Sequence, residues 1–310
     1  MSQHNKPILV TGSHRSGTTW IGRMIALHPS VKYVQEPFNI EYINPLFSYQ
    51  FPFWFYYIRG GVEEKKILWA YKKTLLCLSN PLLLGVKDYI NGDSRSIKTF
   101  TNLVNKHYAL SARVLFKDPI ALFSTAWLYK EINAQPICMI RNPVAFAGSL
   151  KKWNWQFDFN HFLQQKEMLS LLHPFQEKIL AYSVVRPDIV KQAALLWNIF
   201  HYIINEYQKE HPDWLFIRYE DIAKDPIKYF QVIYGYLNLE LTPDIKKAIT
   251  MSSSQDNSVE ANTPAFKPRN AKDSLETWKT RLSPDEISYI QNETKTIAQQ
   301  FYTLQGERYL

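Results

Sequence analysis

The chain has 310 residues, 46% of them hydrophobic, and carries a formal net charge of +8. That length and apolar share support a full core, as one large α/β domain or a domain with insertions. That charge suits nucleic acid, an anionic membrane surface or an acidic ligand, but the basic residues are dispersed with no tract-length block, a balance that fits a small anionic ligand and equally serves solubility.

Ile8–Val10 is a short, β-branched-rich run of strand length. Gly12 ends it. Thr18–His28 then alternates in helical fashion, with Trp20, Met24 and Leu27 on one face. Such a strand, loop and helix aim free backbone N–H groups and the positive end of a helix dipole at one point, which suits an anion. Gly12 and Gly17 have the spacing of a triphosphate-binding loop, but Thr18 stands where that loop has its lysine. This counts against a P-loop kinase. The cation here is Arg15, whose guanidinium can clamp a phosphate through two bonds. Ser16, Gly17, Thr18, Thr19 and Trp20 complete the loop and the helix start, and the two threonines add hydroxyl donors.

Further strands are expected at Val31–Val34, Val114–Phe116, Ile137–Ile140 and Leu215–Ile217, with helices over Glu63–Leu78, Ile120–Ile132, Ile189–Tyr207 and Ile222–Leu237. Strands alternating with helices predict a parallel sheet flanked by helices, with ligands at the carboxyl ends of the strands. Residues 38–112 and 154–212 are expected to be helical insertions in a single domain spanning 1–310. The segments "NPLFSYQFPFWFYY" and "KKWNWQFDF" offer aromatic faces, either as a sugar-binding groove or as core. Glu36 follows the second strand and lies beside the first loop if those strands are neighbours. Lys117 follows the third strand. Arg141 ends the fourth, Pro143 suits the first turn of the next helix, and Ser149 comes eight residues after Arg141. Residues 252–270 read as a loop, and Ser283 with Glu286 as a capping box opening a helix.

"RSGTTW" followed by "HPSVKYVQEP" resembles the 5′-phosphosulfate loop of sulfotransferases, which use 3′-phosphoadenosine 5′-phosphosulfate (PAPS). The arginine form of the loop is most similar to the carbohydrate and tyrosylprotein branches. The Arg141–Ser149 spacing resembles the family's 3′-phosphate motif. The resemblance implies a P-loop-like α/β fold, PAPS as co-substrate, no metal, and sulfuryl transfer to an acceptor hydroxyl on a glycan or small molecule. A tyrosine or small phenol is the alternative acceptor. It also implies Glu36 as the base and Lys117, in a K-D-P context, as transition-state stabiliser alongside Arg15. Lys87, followed by Asp88, is a rival for the lysine role. Asp118 is expected to orient its neighbours rather than bind magnesium. Tyr219 is expected near the adenine, and Phe266, Lys267 and Asn270, with Pro268, in a segment that covers the nucleotide.

The chain departs from the pattern at Thr277, where relatives carry a lysine just before the tryptophan (here Trp278). It departs again at Ala261, where a transition-state serine is expected, and Ser258 or Thr263 is left to replace it. The K-T-H context of a histidine base is missing, so His107 and His161 are read as structural and His28 as a helix-end residue. Cys77 and Cys138 are read as small hydrophobes. Without a signal pattern or an apolar stretch long enough to span a bilayer, the sequence predicts a cytoplasmic, bacterial protein. A luminal domain trimmed of its anchor, with the sequon at Asn292, is the less favoured alternative.

Overall fold

The computed structural model describes residues 6–79, 112–254 and 275–302. Five parallel strands form one sheet: β1 (Ile8–Gly12), β2 (Val31–Gln35), β3 (Arg113–Lys117), β4 (Gln135–Ile140) and β5 (Leu215–Arg218), in the spatial order β2-β3-β1-β4-β5. Every strand expected from the sequence is present. Their apolar runs are continuous because both faces are covered. Leu9, Phe116 and Ile140 enter the core on one face, while Ile8, Leu115 and Met139 enter a second core on the other.

The helix α1 (Thr18–Ile25) leaves the β1 loop and packs over β3, so closely that a Cβ on Gly22 would lie 3.1 Å from the Lys117 side chain. Next come α2 (Gly61–Ser79), α3 (Thr125–Ile132) and α4 (Pro143–Trp153), which follows β4. Residues 160–210 carry α5 (Asn160–Leu163), α6 (Lys166–Leu171), α7 (Gln176–Val184) and the long α8 (Ile189–Glu210). Beyond β5 lie α9 (Tyr219–Lys224), α10 (Pro226–Tyr236), α11 (Pro243–Ser253) and α12 (Pro284–Ala298). Ser283 and Glu286 close the expected capping box at the start of α12. Among the described residues no helix is long and apolar enough to cross a membrane.

Three stretches differ from the sequence expectation. The helix expected over Ile222–Leu237 is two helices, because Pro226 cannot continue α9 and Asp225 caps the Lys228 N–H at 3.2 Å. The helix expected from Ile120 begins as a 3₁₀ turn over Pro119–Ser124. There the Ser124 hydroxyl is tied to the coil at 56–58, accepting from the Ile58 N–H at 3.0 Å and donating to the Tyr56 carbonyl at 2.8 Å. The first insertion begins without helix: residues 38–60 are turns and coil. Phe38, Phe47, Phe51 and Phe55 bury their rings in the core, Phe38 stacking on Phe51 at 3.9 Å. Within the segment 44–57, Phe47, Phe51 and Phe55 are therefore core, while Tyr49, Phe53, Trp54, Tyr56 and Tyr57 stay half-buried.

Candidate active site

Backbone geometry sets the loop between β1 and α1. Gly12 and Gly17 have φ of 123° and 85°, and Arg15 is also held in the left-handed region at 64°. Glycine is required at 17 twice over, since a Cβ there would also lie 2.5 Å from the Tyr219 ring. Gly17 is the N-cap of α1 and offers no side chain, so the first N–H groups of α1 receive no side-chain cap. The hydroxyls of Thr11 and Ser13 and the Arg141 Nε are buried without a hydrogen-bond partner. Donors left over at a helix start are what a bound phosphate satisfies.

The two arginines expected to bind separate phosphates meet across this loop. Arg15 Nε donates to Ser149 Oγ at 3.0 Å, and Arg141 Nη1 donates to the Arg15 carbonyl at 3.1 Å. Ser149 thus joins Arg15 rather than Arg141. The Arg141 guanidinium lies 4.2 Å from the centre of the Tyr219 ring, and Trp20 meets the same ring edge-on at 6.2 Å. Behind Arg141, its N–H donates to His201 Nε2 at 3.4 Å and its carbonyl accepts from Trp197 Nε1 at 2.7 Å. His201 is therefore neutral with its proton on Nδ1, which faces the Trp197 carbonyl at 2.9 Å. Burial drives its pKa down to about 3.

Lys117 and Glu36 sit at the same carboxyl edge. The sequence left open whether β2 neighbours β1. It does not, because β3 lies between them. Glu36 instead faces the end of β3. Its N–H donates to the Lys117 carbonyl at 2.8 Å, and its carboxylate forms an ion pair with Lys117 Nζ and accepts from Asn39 Nδ2 at 2.8 Å. Lys117 is sealed, with a side chain 2% exposed against 18% for Glu36. Asp118 orients its neighbours, as expected. Its carboxylate accepts from the Phe38 N–H at 2.7 Å and the Ile120 N–H at 3.0 Å, stapling the turn after Glu36 to the turn after Lys117. Burial raises its pKa to about 7 against the pull of those two amides.

His14 was not singled out from the sequence. It is 8% exposed, with both ring nitrogens buried and unpartnered, among Phe55, Phe146, Phe200 and Trp155, the last 4.3 Å away. Burial, then the Arg15 charge, lowers its pKa to about 3. Its place between strand and Arg15 was visible, but the rings around it come from distant segments. Trp278 packs its Cβ against Gly148 of α4, at 3.0 Å from an added Cβ. Phe266, Lys267 and Asn270, the alternatives Ser258 and Thr263, and the rival Lys87 with Asp88 lie outside the described residues.

An uncapped helix start, two convergent arginines and a lysine–carboxylate pair stand together at the carboxyl edge of a P-loop-like parallel sheet. The sulfotransferase domain model matches residues 5–303, and the chain belongs to that family. It is 30% identical over 94 residues to carbohydrate sulfotransferase 1 of Homo sapiens, covering 29% of this chain and 23% of that protein. To carbohydrate sulfotransferase 2 of Mus musculus it is 29% identical over 86 residues, covering 26% of this chain and 16% of that protein. The matched stretch thus spans less than a quarter of these curated relatives. Among solved structures, the sulfotransferase domain from the Synechococcus PCC 7002 olefin synthase shares the fold with a TM-score of 0.51 at 16% identity, over 97% of both chains. The sulfotransferase domain from the curacin biosynthetic pathway does so with a TM-score of 0.50 at 20% identity, over 96% of this chain and 97% of that one.

Proposed function

We propose that the protein transfers a sulfuryl group from PAPS to a hydroxyl, with a carbohydrate as acceptor. The observation that carries this reading is the convergence of Arg15, Arg141 and Ser149 at the uncapped start of α1, on the sheet edge that also holds the Lys117–Glu36 pair. In this reading the loop residues Arg15 to Thr19 hold the 5′-phosphosulfate, Arg141 and Ser149 hold the 3′-phosphate, and Tyr219 and Trp20 line the base. The family resemblance adds Phe266, Lys267 and Asn270 to the nucleotide contacts. PAPS supplies the activated sulfuryl group.

Glu36 takes the proton from the acceptor hydroxyl as that oxygen attacks sulfur in line with the departing phosphate oxygen. Lys117 and Arg15 stabilise the negative charge that gathers on the bridging and sulfuryl oxygens. The pairing with Lys117 and the bond from Asn39 fix the carboxylate before the acceptor arrives. No step in this scheme calls for a metal ion. A carbohydrate is favoured over a tyrosine or phenol because half-buried Trp155 packs 4.3 Å from His14 of the loop, with half-buried Trp54 edge-on to it at 6.2 Å. Tryptophan faces there suit a sugar ring, and the curated relatives carry carbohydrate sulfotransferase names.

Radiolabelled PAPS offered with a panel of glycans, phenols and tyrosine peptides tests the reading. Transfer to a glycan, lost in Glu36→Gln while adenosine 3′,5′-bisphosphate still binds, is the expected result. Nucleotide binding without transfer to any acceptor would leave a binding module and overturn it.

A further inference from the structure

We infer that the outer face of α2 is a docking surface for an anionic lipid bilayer, on which the protein lies without crossing it. In the sequence of α2, Val62, Trp69 and Leu76 recur every seven residues, and Lys65, Lys66, Lys72 and Lys73 repeat at the same interval between them. With about 3.6 residues per turn, these seven positions share one side of the helix, an apolar seam edged by lysines on both sides. The seam faces solvent: Val62 is 69%, Trp69 59% and Leu76 59% exposed. The opposite side buries Ile67, Ala70, Tyr71 and Leu78 in the core, so α2 is fixed to the body while its seam stays outside.

Two further exposed apolar side chains flank α2 without extending the seam itself. Leu46 is 42% exposed and its carbonyl accepts from Thr74 Oγ1 at 2.7 Å, which ties it to α2; Ile43, three residues earlier, is 81% exposed. Singly scattered apolar residues are normal on a protein surface, but a contiguous, lysine-edged strip is an interaction site. Its chemistry selects the occupant. A tryptophan between lysines suits the headgroup boundary, where the indole enters the acyl edge and the long lysine stems reach back to phosphates. Lys73 Nζ already lies 4.6 Å from the Trp69 ring centre, placing its charge over that ring. Lys66 is partly neutralised, since Glu63 pairs with it at 2.7 Å. Lys65 and Lys72 are exposed, and the whole-chain charge of +8 adds a long-range attraction to an anionic surface.

Co-sedimentation of the full chain with vesicles tests this directly. Vesicles of phosphatidylcholine with about one-third phosphatidylglycerol should retain the protein at low salt, pure phosphatidylcholine should not, and added salt should release it. Each lysine removed should weaken binding about fivefold, so Lys65→Ala/Lys72→Ala should lose more than tenfold. Trp69→Ala should lose a similar factor at unchanged charge. The exposed sites leave melting temperature and bisphosphate binding as controls for folding. Equal retention of parent and variants, or no retention on anionic vesicles, overturns the inference. A concentration-dependent dimer that Trp69→Ala dissociates, with no vesicle binding, overturns it in favour of a second copy on this face. The Lys65→Ala/Lys72→Ala and Trp69→Ala comparisons read α2, away from the proposed nucleotide site, so failure of the inference would leave the proposed sulfuryl transfer untouched.

Discussion

Lys117 and Glu36 are paired with each other, and the pair is lopsided: the lysine is sealed in the protein while the carboxylate keeps a window to solvent. The two residues proposed as stabiliser and base therefore hold one another in register. The asymmetry predicts unequal mutants. Lys117→Met replaces a sealed cation by an apolar chain of similar shape and leaves a carboxylate that water can reach. Glu36→Ala leaves a charged ammonium with no carboxylate inside the protein, an arrangement that costs about 3–5 kcal/mol when a pair is broken in this way. Denaturant titrations should show Glu36→Ala as the less stable of the two, while both lose transfer activity. Glu36→Gln, whose amide oxygen still accepts from Lys117, should fold best of the Glu36 variants and still be about 100-fold or more slower.

Arg141 makes a cation–π contact with Tyr219 and a hydrogen bond to the Arg15 carbonyl, and its Nε has no partner. Removing it takes away a charge-assisted contact of about 1.5–3 kcal/mol. Arg141→Ala should therefore weaken adenosine 3′,5′-bisphosphate binding by about one to two decades in calorimetry. Arg141→Lys should recover only part of the loss, because a lysine keeps the charge but not the flat stack on Tyr219. Unchanged affinity in Arg141→Ala would remove the 3′-phosphate assignment.

The strands were legible because each is a short β-branched or apolar run closed by a glycine or a charged residue, and the sheet buries both of their faces. Strand order was not legible. Nothing in "VKYVQE" says that β3 inserts between β2 and β1, so the partner of Glu36 emerged only from the sheet. The loop from Gly12 to Thr19 was readable since its glycines serve local backbone geometry, which sequence encodes directly. The Arg15–Ser149 bond was not, because it joins residues 134 apart. The split at Asp225-Pro226 was visible in the residues but overridden by the apolar period on either side. His14 shows the remaining limit: its four aromatic neighbours come from three other parts of the chain, and only the fold assembles them.

Gly17 offers a sharper test of the loop. Its φ of 85° costs any L-residue about 1–2 kcal/mol, and an added methyl would meet the Tyr219 ring as well. Gly17→Ala should lower the melting temperature and sharply weaken bisphosphate binding by turning the α1 amides away from the ligand. Adding Tyr219→Ala relieves the clash but not the dihedral, so the double variant should bind still more weakly than Tyr219→Ala alone. Binding equal to that of Tyr219→Ala would show that the ring contact, not the backbone, sets the loop.

Three buried groups give the stability a pH dependence with opposed signs. His14 and His201 are held at about 3 from an ordinary 6.5, mainly by burial. Below 6.5 the unfolded chain binds protons that the folded chain refuses, so each histidine removes stability as pH falls from 6.5 toward 3. Asp118 runs the other way. Burial lifts it from 3.8 to about 7, so the folded chain keeps a proton that the unfolded chain releases. It lowers stability as pH rises from 3.8 to 7. Single substitutions separate the two in urea titrations across that range. Relative to His14→Gln, the parent should lose stability as the solution is acidified below 6.5. Relative to Asp118→Asn, the parent should gain it as pH falls from 7 to 3.8, even though the amide turns an N–H toward one of the two backbone N–H groups from which the carboxylate accepts. Parallel pH profiles for parent and Asp118→Asn would mean that the carboxylate stays ionised at neutral pH, held by the Phe38 and Ile120 amides rather than governed by its burial.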